Sequence, residues 1–134
     1  MNKLIHTSGK RKRAIARATL YPGTGIVTVN GIALNVYQPA MYRMKIQEPL
    51  LLAGDLAQTV DIRVNVFGGG ISSQADASRL VIAKALVQHT KDKKLRQQFL
   101  SYDRQLLVAD VRRKEPAKPN RHSQARAKVQ KSYR

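Results

Sequence analysis

The chain is 134 residues long, one domain's worth, and 25 Lys and Arg against 8 Asp and Glu give it a net charge of +17. So one-sided a field repels itself and points to a polyanionic partner. The absence of cysteine excludes a disulfide framework and any thiolate zinc site, while no run of about 18 apolar residues is present to cross a membrane.

With no Trp and only two Phe, a basic helix lying on lipid is also a poor fit, so nucleic acid is the expected polyanion and no membrane partner is expected. Residues Met1–Lys10 are polar and lack the apolar core of a signal peptide, which predicts a cytosolic protein. The charge is unevenly spread. Residues 1–17 carry +6, residues 18–111 only +3, and residues 112–134 carry +8. Like-charge blocks at the ends of a nearly balanced middle are typical of interaction arms.

In chain order, Ala14–Tyr21 reads as a strand ending at the turn pair Pro22-Gly23. Ile26–Asn30 is β-branched and stops at Asn30-Gly31, so these two runs predict a β-hairpin, with a further extended piece near Ala33. Pro39 and Pro49 bracket a helix around Met41–Ile46, and Pro49 starts a second short helix closed by Gly54. The cleanest strand is Val60–Phe67. Val60, Ile62, Val64 and Val66 face one way and Asp61, Arg63, Asn65 and Phe67 the other, which predicts a sheet with one buried face.

Gly68-Gly69-Gly70 breaks that strand, and Ser72 or Ser73 is placed to cap a helix running to about His89. Leu80, Ala83 and Val87 give its apolar seam, with Arg79 and Lys84 expected to point elsewhere. A further helix is predicted over Lys93–Leu100 and a strand over Leu106–Val111. Beyond Val111 the apolar pattern ends, so residues 1–111 are expected to form a compact domain with a basic N-terminal arm, and residues 112–134 an extended basic tail. The fold class expected is α/β, a two-layer sandwich with helices on one side of a small sheet.

No catalytic constellation emerges. The triple glycine lacks the Lys of a Walker loop. Its helix-opening amides could still hold an RNA phosphate. Phe67 beside the glycines loosely resembles an RNA-recognition-motif strand, but one aromatic is too weak for base stacking, so packing or a sheet-edge place is expected. His6, His89 and His122 have no partner at metal-ligand spacing, and His6 with Ser8 is assigned to a flexible arm. No enzyme activity, metal or cofactor is expected. By contrast, Lys10, Arg11, Lys12 and Arg13 run directly into a strand, which fixes cations along an edge. The tail adds Arg112, Arg113, Lys114, Lys118, Arg121, Arg126, Lys128, Lys131 and Arg134 among small spacers, suited to threading between RNA helices.

The run from Ser8 to Ala18, then Pro22-Gly23-Thr24-Gly25, Val29-Asn30-Gly31, Gly68-Gly69-Gly70, Gln74-Ala75-Asp76-Ala77 and Arg79, resembles the small-subunit ribosomal proteins of the S-nine family. Asp110, Arg112-Arg113-Lys114-Glu115-Pro116, Lys118-Pro119 and the closing Lys131-Ser132-Tyr133-Arg134 extend the likeness over nearly the whole chain, with an archaeal or eukaryotic type of ending. Asn120 departs from it, standing where many members have Gly.

The resemblance implies a sandwich with a left-handed βαβ crossover, similar to the second domain of ribosomal protein S-five. It also implies a structural role on small-subunit rRNA in the subunit head, among neighbouring head proteins, on the cytoplasmic ribosome. On it, rRNA contact is expected of Lys10, Arg11, Lys12, Arg13, Arg17, Arg112, Arg113, Lys114, Lys118, Arg121 and Arg126. Contact with peptidyl-site tRNA is expected of Arg134, with Tyr133, Lys131 and Lys128 behind it. Two other classes are less well matched. The ribonuclease P protein is similarly basic, but its arginine-rich helix motif is absent, and DNA-compacting proteins usually dimerise or insert an apolar wedge not seen here.

Overall fold

The computed structural model describes residues 3–127. Five strands form one mixed sheet: β1 (Ile5–Arg11), β2 (Ala14–Pro22), β3 (Val27–Val29), β4 (Ile32–Ala33) and β5 (Val60–Phe67), in the spatial order β1-β2-β5-β3-β4. Three helices, α1 (Ala40–Ala53), α2 (Ile71–Thr90) and α3 (Lys93–Tyr102), complete an α/β sandwich. The alternation in β5 is as the sequence dictates. Val60, Ile62, Val64 and Val66 are buried, and Arg63, Asn65 and Phe67 are exposed on the face away from the helices. β2 contributes Ala14, Ala16, Ala18 and Leu20 to the same core. Its three alanines let α2 lie close to the sheet, and α2 is itself lined by Ala75, Ala77, Ala83 and Ala85, all fully buried.

The predicted hairpin between β2 and β3 does not form. β5 is inserted between them, antiparallel to β2 and parallel to β3. Asp61 explains the separation. One of its carboxylate oxygens accepts the backbone N–H groups of Thr24, Gly25 and Ile26 at 2.8, 3.0 and 2.9 Å, so the Pro22–Ile26 loop is tied across the start of β5. The Asn30-Gly31 turn does make a hairpin, between β3 and β4, with φ of 51° and 79°. The Asn30 side chain then donates to the Val66 carbonyl and accepts the Val66 N–H, at 3.0 and 2.8 Å, as an extra peptide unit would.

Four further expectations are corrected. Pro49 does not divide two helices but lies inside α1, where burial of its ring and of Ile46 offsets the one hydrogen bond it cannot donate. No serine caps α2; Gly70 is the N-cap residue and offers no side chain. Arg79 does not point away but is buried at 8% exposure. Leu106–Val111 is not a strand. The Asp103 carboxylate accepts the Gln105 N–H at 2.9 Å, and Leu107 and Val108 both donate to the Arg104 carbonyl, so the backbone is spent on a turn rather than a ladder.

The N-terminal arm is itself structural, since β1 is paired along its whole length with β2 and Ile5 is buried. His6 therefore sits on a strand, its ring 3.1 Å from the Thr19 hydroxyl.

Leu106, fully buried outside any strand or α-helix, is the last residue of the core. Leu106→Ala is expected to cost about 2–5 kcal/mol in urea unfolding, as a core truncation does. A chain ending after Lys114 should keep nearly the full-length midpoint, because the described residues beyond it bury no large apolar group.

Candidate nucleic-acid interface

Three segments converge at one end of the sheet. The first is the two-residue turn Lys12-Arg13 between β1 and β2, with Lys12 held at φ 52°. The second is the glycine loop after β5. Gly68 has φ 78°, and a Cβ there would stand 2.5 Å from the Arg13 carbonyl oxygen, so only glycine lets the loop press against the turn. The third is the root of the tail. Together they line a cleft of about 800 Å³ bounded by Arg11, Lys12, Arg13, Gly69, Gly70, Ser73 and the run from Arg112 to Ala117. The first turn of α2 opens into it with no acidic residue and no side-chain cap, so its unpaired N–H groups add to the positive potential.

Acids position these cations. Asp110 forms an ion pair with Arg11 at 2.8 Å and accepts a hydrogen bond from Arg112 at 2.6 Å, which pins the tail root to β1. Asp76, on α2, lies 3.7 Å from Arg11 and 2.6 Å from Lys45 of α1. The Arg112 side chain, then its N–H, and the charge of Arg11 hold the Asp110 carboxyl far below the usual carboxylate range. Glu115, the one acid lining the cleft, is bonded to Lys118 at 2.7 Å and Arg126 at 3.0 Å, and those bonds lower its pKa too. Deeper in the body, Arg79 bridges Glu48 of α1 and Asp103 after α3.

Of the residues singled out in the sequence, Arg11, Lys12, Arg13, Arg112, Arg113 and Lys114 meet in the cleft. Arg11 is the most constrained, being half enclosed and paired with two acids. Lys10 and Arg17 are exposed on the sheet face that carries no helix, outside the cleft. Lys118 and Arg126 bracket Glu115, and Arg121 is exposed in a turn whose carbonyl accepts the Gln124 N–H at 3.0 Å. Lys128, Lys131, Tyr133 and Arg134 lie outside the described residues. The sequence reading overlooked the positioning acids Asp76 and Asp110. Asp110 stands beside the basic run Arg112–Lys114, whereas no basic run flanks Asp76. Among the described residues no group of His, Asp and Glu could hold a metal ion, and no helix is long and apolar enough to cross a membrane.

Two outcomes follow from this geometry. Gly68→Ala should destabilise the fold by about 1–3 kcal/mol in urea titration, through positive-φ strain and collision with Arg13. The second concerns pH. Because the folded pKa of Asp110 is lowered, the pairing stabilises the fold at neutral pH and is lost only as pH falls through that depressed value. The Asp110 carboxyl carbon shift in NMR should therefore stay that of a carboxylate down to about pH 3, where ordinary aspartates have largely titrated.

A family model described as ribosomal protein S9/S16 matches residues 9–134. The chain is 49% identical over 133 residues to the small ribosomal subunit protein uS9 of Methanococcus maripaludis strain C7, covering 98% of this chain and 99% of that protein. It is likewise 49% identical to that of M. maripaludis strain C5, and 47% identical to that of Methanococcus vannielii, at the same coverage. The proteins of this family are structural rather than enzymatic, and their place is the small subunit of the cytoplasmic ribosome. The chain belongs to the S9 family of small-subunit ribosomal proteins.

Proposed function

We propose that this structural constituent of the small ribosomal subunit holds rRNA in the subunit head by phosphate contacts centred on the cleft, and that its tail reaches peptidyl-site tRNA. The observation that carries the first part is the convergence of Arg11, Lys12, Arg13, Arg112, Arg113 and Lys114 on the uncapped N-terminus of α2. Fixed cations and aligned N–H groups on rigid elements lose little entropy when a phosphate arrives. The acid within reach, Glu115, is already neutralised by two cations. The glycine loop gives close approach without supplying a nucleotide-binding lysine, which favours an RNA backbone over a free nucleotide. Lys118, Arg121 and Arg126 extend the same role along the tail, while Lys10 and Arg17 carry it around the edge of the sheet.

The second part draws on the family likeness and on charge. With Arg112 tied to the body through Asp110, the tail leaves from a fixed root. Nine of its residues are cations, and its last four, Lys131-Ser132-Tyr133-Arg134, offer a guanidinium fork for phosphate beside a flat ring.

Filter binding of the full chain to small-subunit head rRNA should show log affinity falling steeply with log salt, as expected for about six to ten neutralised phosphates. Replacing Lys12, Arg13 and Lys114 by alanine should flatten the slope by about 2–3. A slope near zero for the unaltered chain would overturn the phosphate mechanism. Deleting Lys131–Arg134 should leave subunit assembly intact and weaken peptidyl-site tRNA binding to purified subunits by about 1–3 kcal/mol. Unchanged tRNA affinity would remove the tail from that role.

A further inference from the structure

The face of the sheet that carries no helix has a composition of its own. Across β1, β2 and β5 it presents the exposed His6, Lys10, Arg17, Arg63 and Phe67 and the partly buried Tyr21. Asp61 is the sole acid in the five strands, and its carboxylate is spent on the three N–H groups of the 24–26 loop, with its pKa lowered first by the bond from Ile26. Among the described residues no ion pair engages Lys10, Arg17 or Arg63. An open sheet face in a free-standing domain would be expected to mix both signs; this one is cationic.

Two arginine–aromatic pairs lie on it. The Arg17 guanidinium stands over the Phe67 ring at 5.8 Å from the centroid, and that of Arg63 over the Tyr21 ring at 5.3 Å. Arg17 is registered with Asn65 and Arg63 with Thr19, so each pair spans the β2–β5 ladder diagonally, in the same sense. The two aromatics are six positions apart on the ladder, about 20 Å at ~3.3 Å per residue. Phe67 is 50% exposed, although it is large and apolar and ends the central strand. Its ring lies on the face away from the helices, and because β3 pairs with β5 only as far as Val64, Phe67 has a strand neighbour on the β2 side alone, a place at the end of the sheet that leaves the ring open.

We propose that this face is a second RNA contact, separate from the cleft, on which Phe67 and Tyr21 each stack an unpaired base while Arg17 and Arg63 hold the flanking phosphate or the base's other side. The proposal rests on the reading of the chain as an rRNA ligand and adds the face and the kind of RNA it takes. Sequence-tolerant binding of unpaired RNA uses this combination: aromatic rings on neighbouring strands, with cations beside them. The ring spacing means that the two bases come from separate positions in the RNA rather than from neighbours in one stack. Charge selects RNA over protein as the occupant, because the cations nearest the exposed ring, Arg17 beside it and Lys10 beyond Ile15 in the same row, are in no ion pair among the described residues. The face is also continuous with the cleft. Lys10, Ile15 and Phe67 form one row across the strands, and Gly68 follows directly into the loop against Arg13.

The chain has no Trp, so Phe67→Trp installs a single indole reporter at a half-exposed site. A single-stranded uridine-rich oligoribonucleotide should quench that indole, and a duplex of equal length should not. In filter binding to head rRNA, Phe67→Ala and Tyr21→Ala should each lose about tenfold in affinity with an unchanged salt slope, because a stacked base rather than a phosphate is lost. Phe67→Trp should restore the affinity. Arg17→Lys, which keeps the charge but loses the planar group, should also weaken binding. Thermal unfolding of each variant checks that the fold is intact, above all for the partly buried Tyr21. If the aromatic variants bind as tightly as the parent, and the indole is unquenched while the cleft variants still lose affinity, the second contact is wrong and the cleft stands. If the indole is shielded only when other ribosomal proteins are added, the face belongs to a protein and the proposal fails.

Discussion

Acid is the scarce resource of this chain, and its placement organises the rest. Every acidic residue except Asp55 is bonded to a cation or to backbone N–H groups. Asp76 and Asp110 join α1, α2, β1 and the tail root through Lys45, Arg11 and Arg112. Surface ion pairs contribute little stability, so energy is not the main reason for this arrangement. Its effect is geometric. A tail that would otherwise leave the body anywhere is made to leave beside the Lys12-Arg13 turn. Arg79 differs, because it is buried among α1, α2 and α3 and losing both acid partners would strand its charge.

With the acids consumed, Lys12, Arg13, Arg113 and Lys114 in the cleft and Lys10, Arg17 and Arg63 on the open sheet face have no acid partner among the described residues, and these two surfaces meet at one end of the sheet. One is concave and lined by positioned cations and backbone donors, which suits phosphate. The other is flat, with rings and guanidinium planes, which suits bases. Inserting β5 between β2 and β3 creates both. It brings the glycine loop to the tip of the β1–β2 hairpin and lays Arg63 and Phe67 against Arg17 and Tyr21.

Period-two alternation in Val60–Phe67 and the long apolar seam of α2 were legible because burial alone writes them. The cationic cleft was legible in part, since Lys10–Arg13 and Arg112–Lys114 are runs. What escaped were features decided by distant partners. The β2–β3 hairpin looked sound locally, yet Asp61, more than thirty residues away, claims the loop's N–H groups. Pro49 looked like a boundary, but tertiary burial outweighs one missing hydrogen bond. A single Phe beside glycines carried too little information to suggest stacking. Only the β2–β5 register shows Arg17 beside it and a second pair four positions further along the ladder.

The same charge distribution couples folding to binding. Six cations share one cleft whose lining acid is already occupied, so the free protein holds a repulsion that water and salt screen but do not remove. Positive φ at Lys12, where a β-turn would favour glycine, adds backbone strain at the same spot. Both costs are borne by the unbound state, and phosphate relieves the first of them directly. A ligand that binds only the folded chain stabilises it by mass action, so rRNA held at the proposed cleft would stabilise the fold as well. The body can afford this because the repulsion lies at its rim: the core of β2, β5 and α2 is apolar and tightly packed, and its one buried cation is already paired.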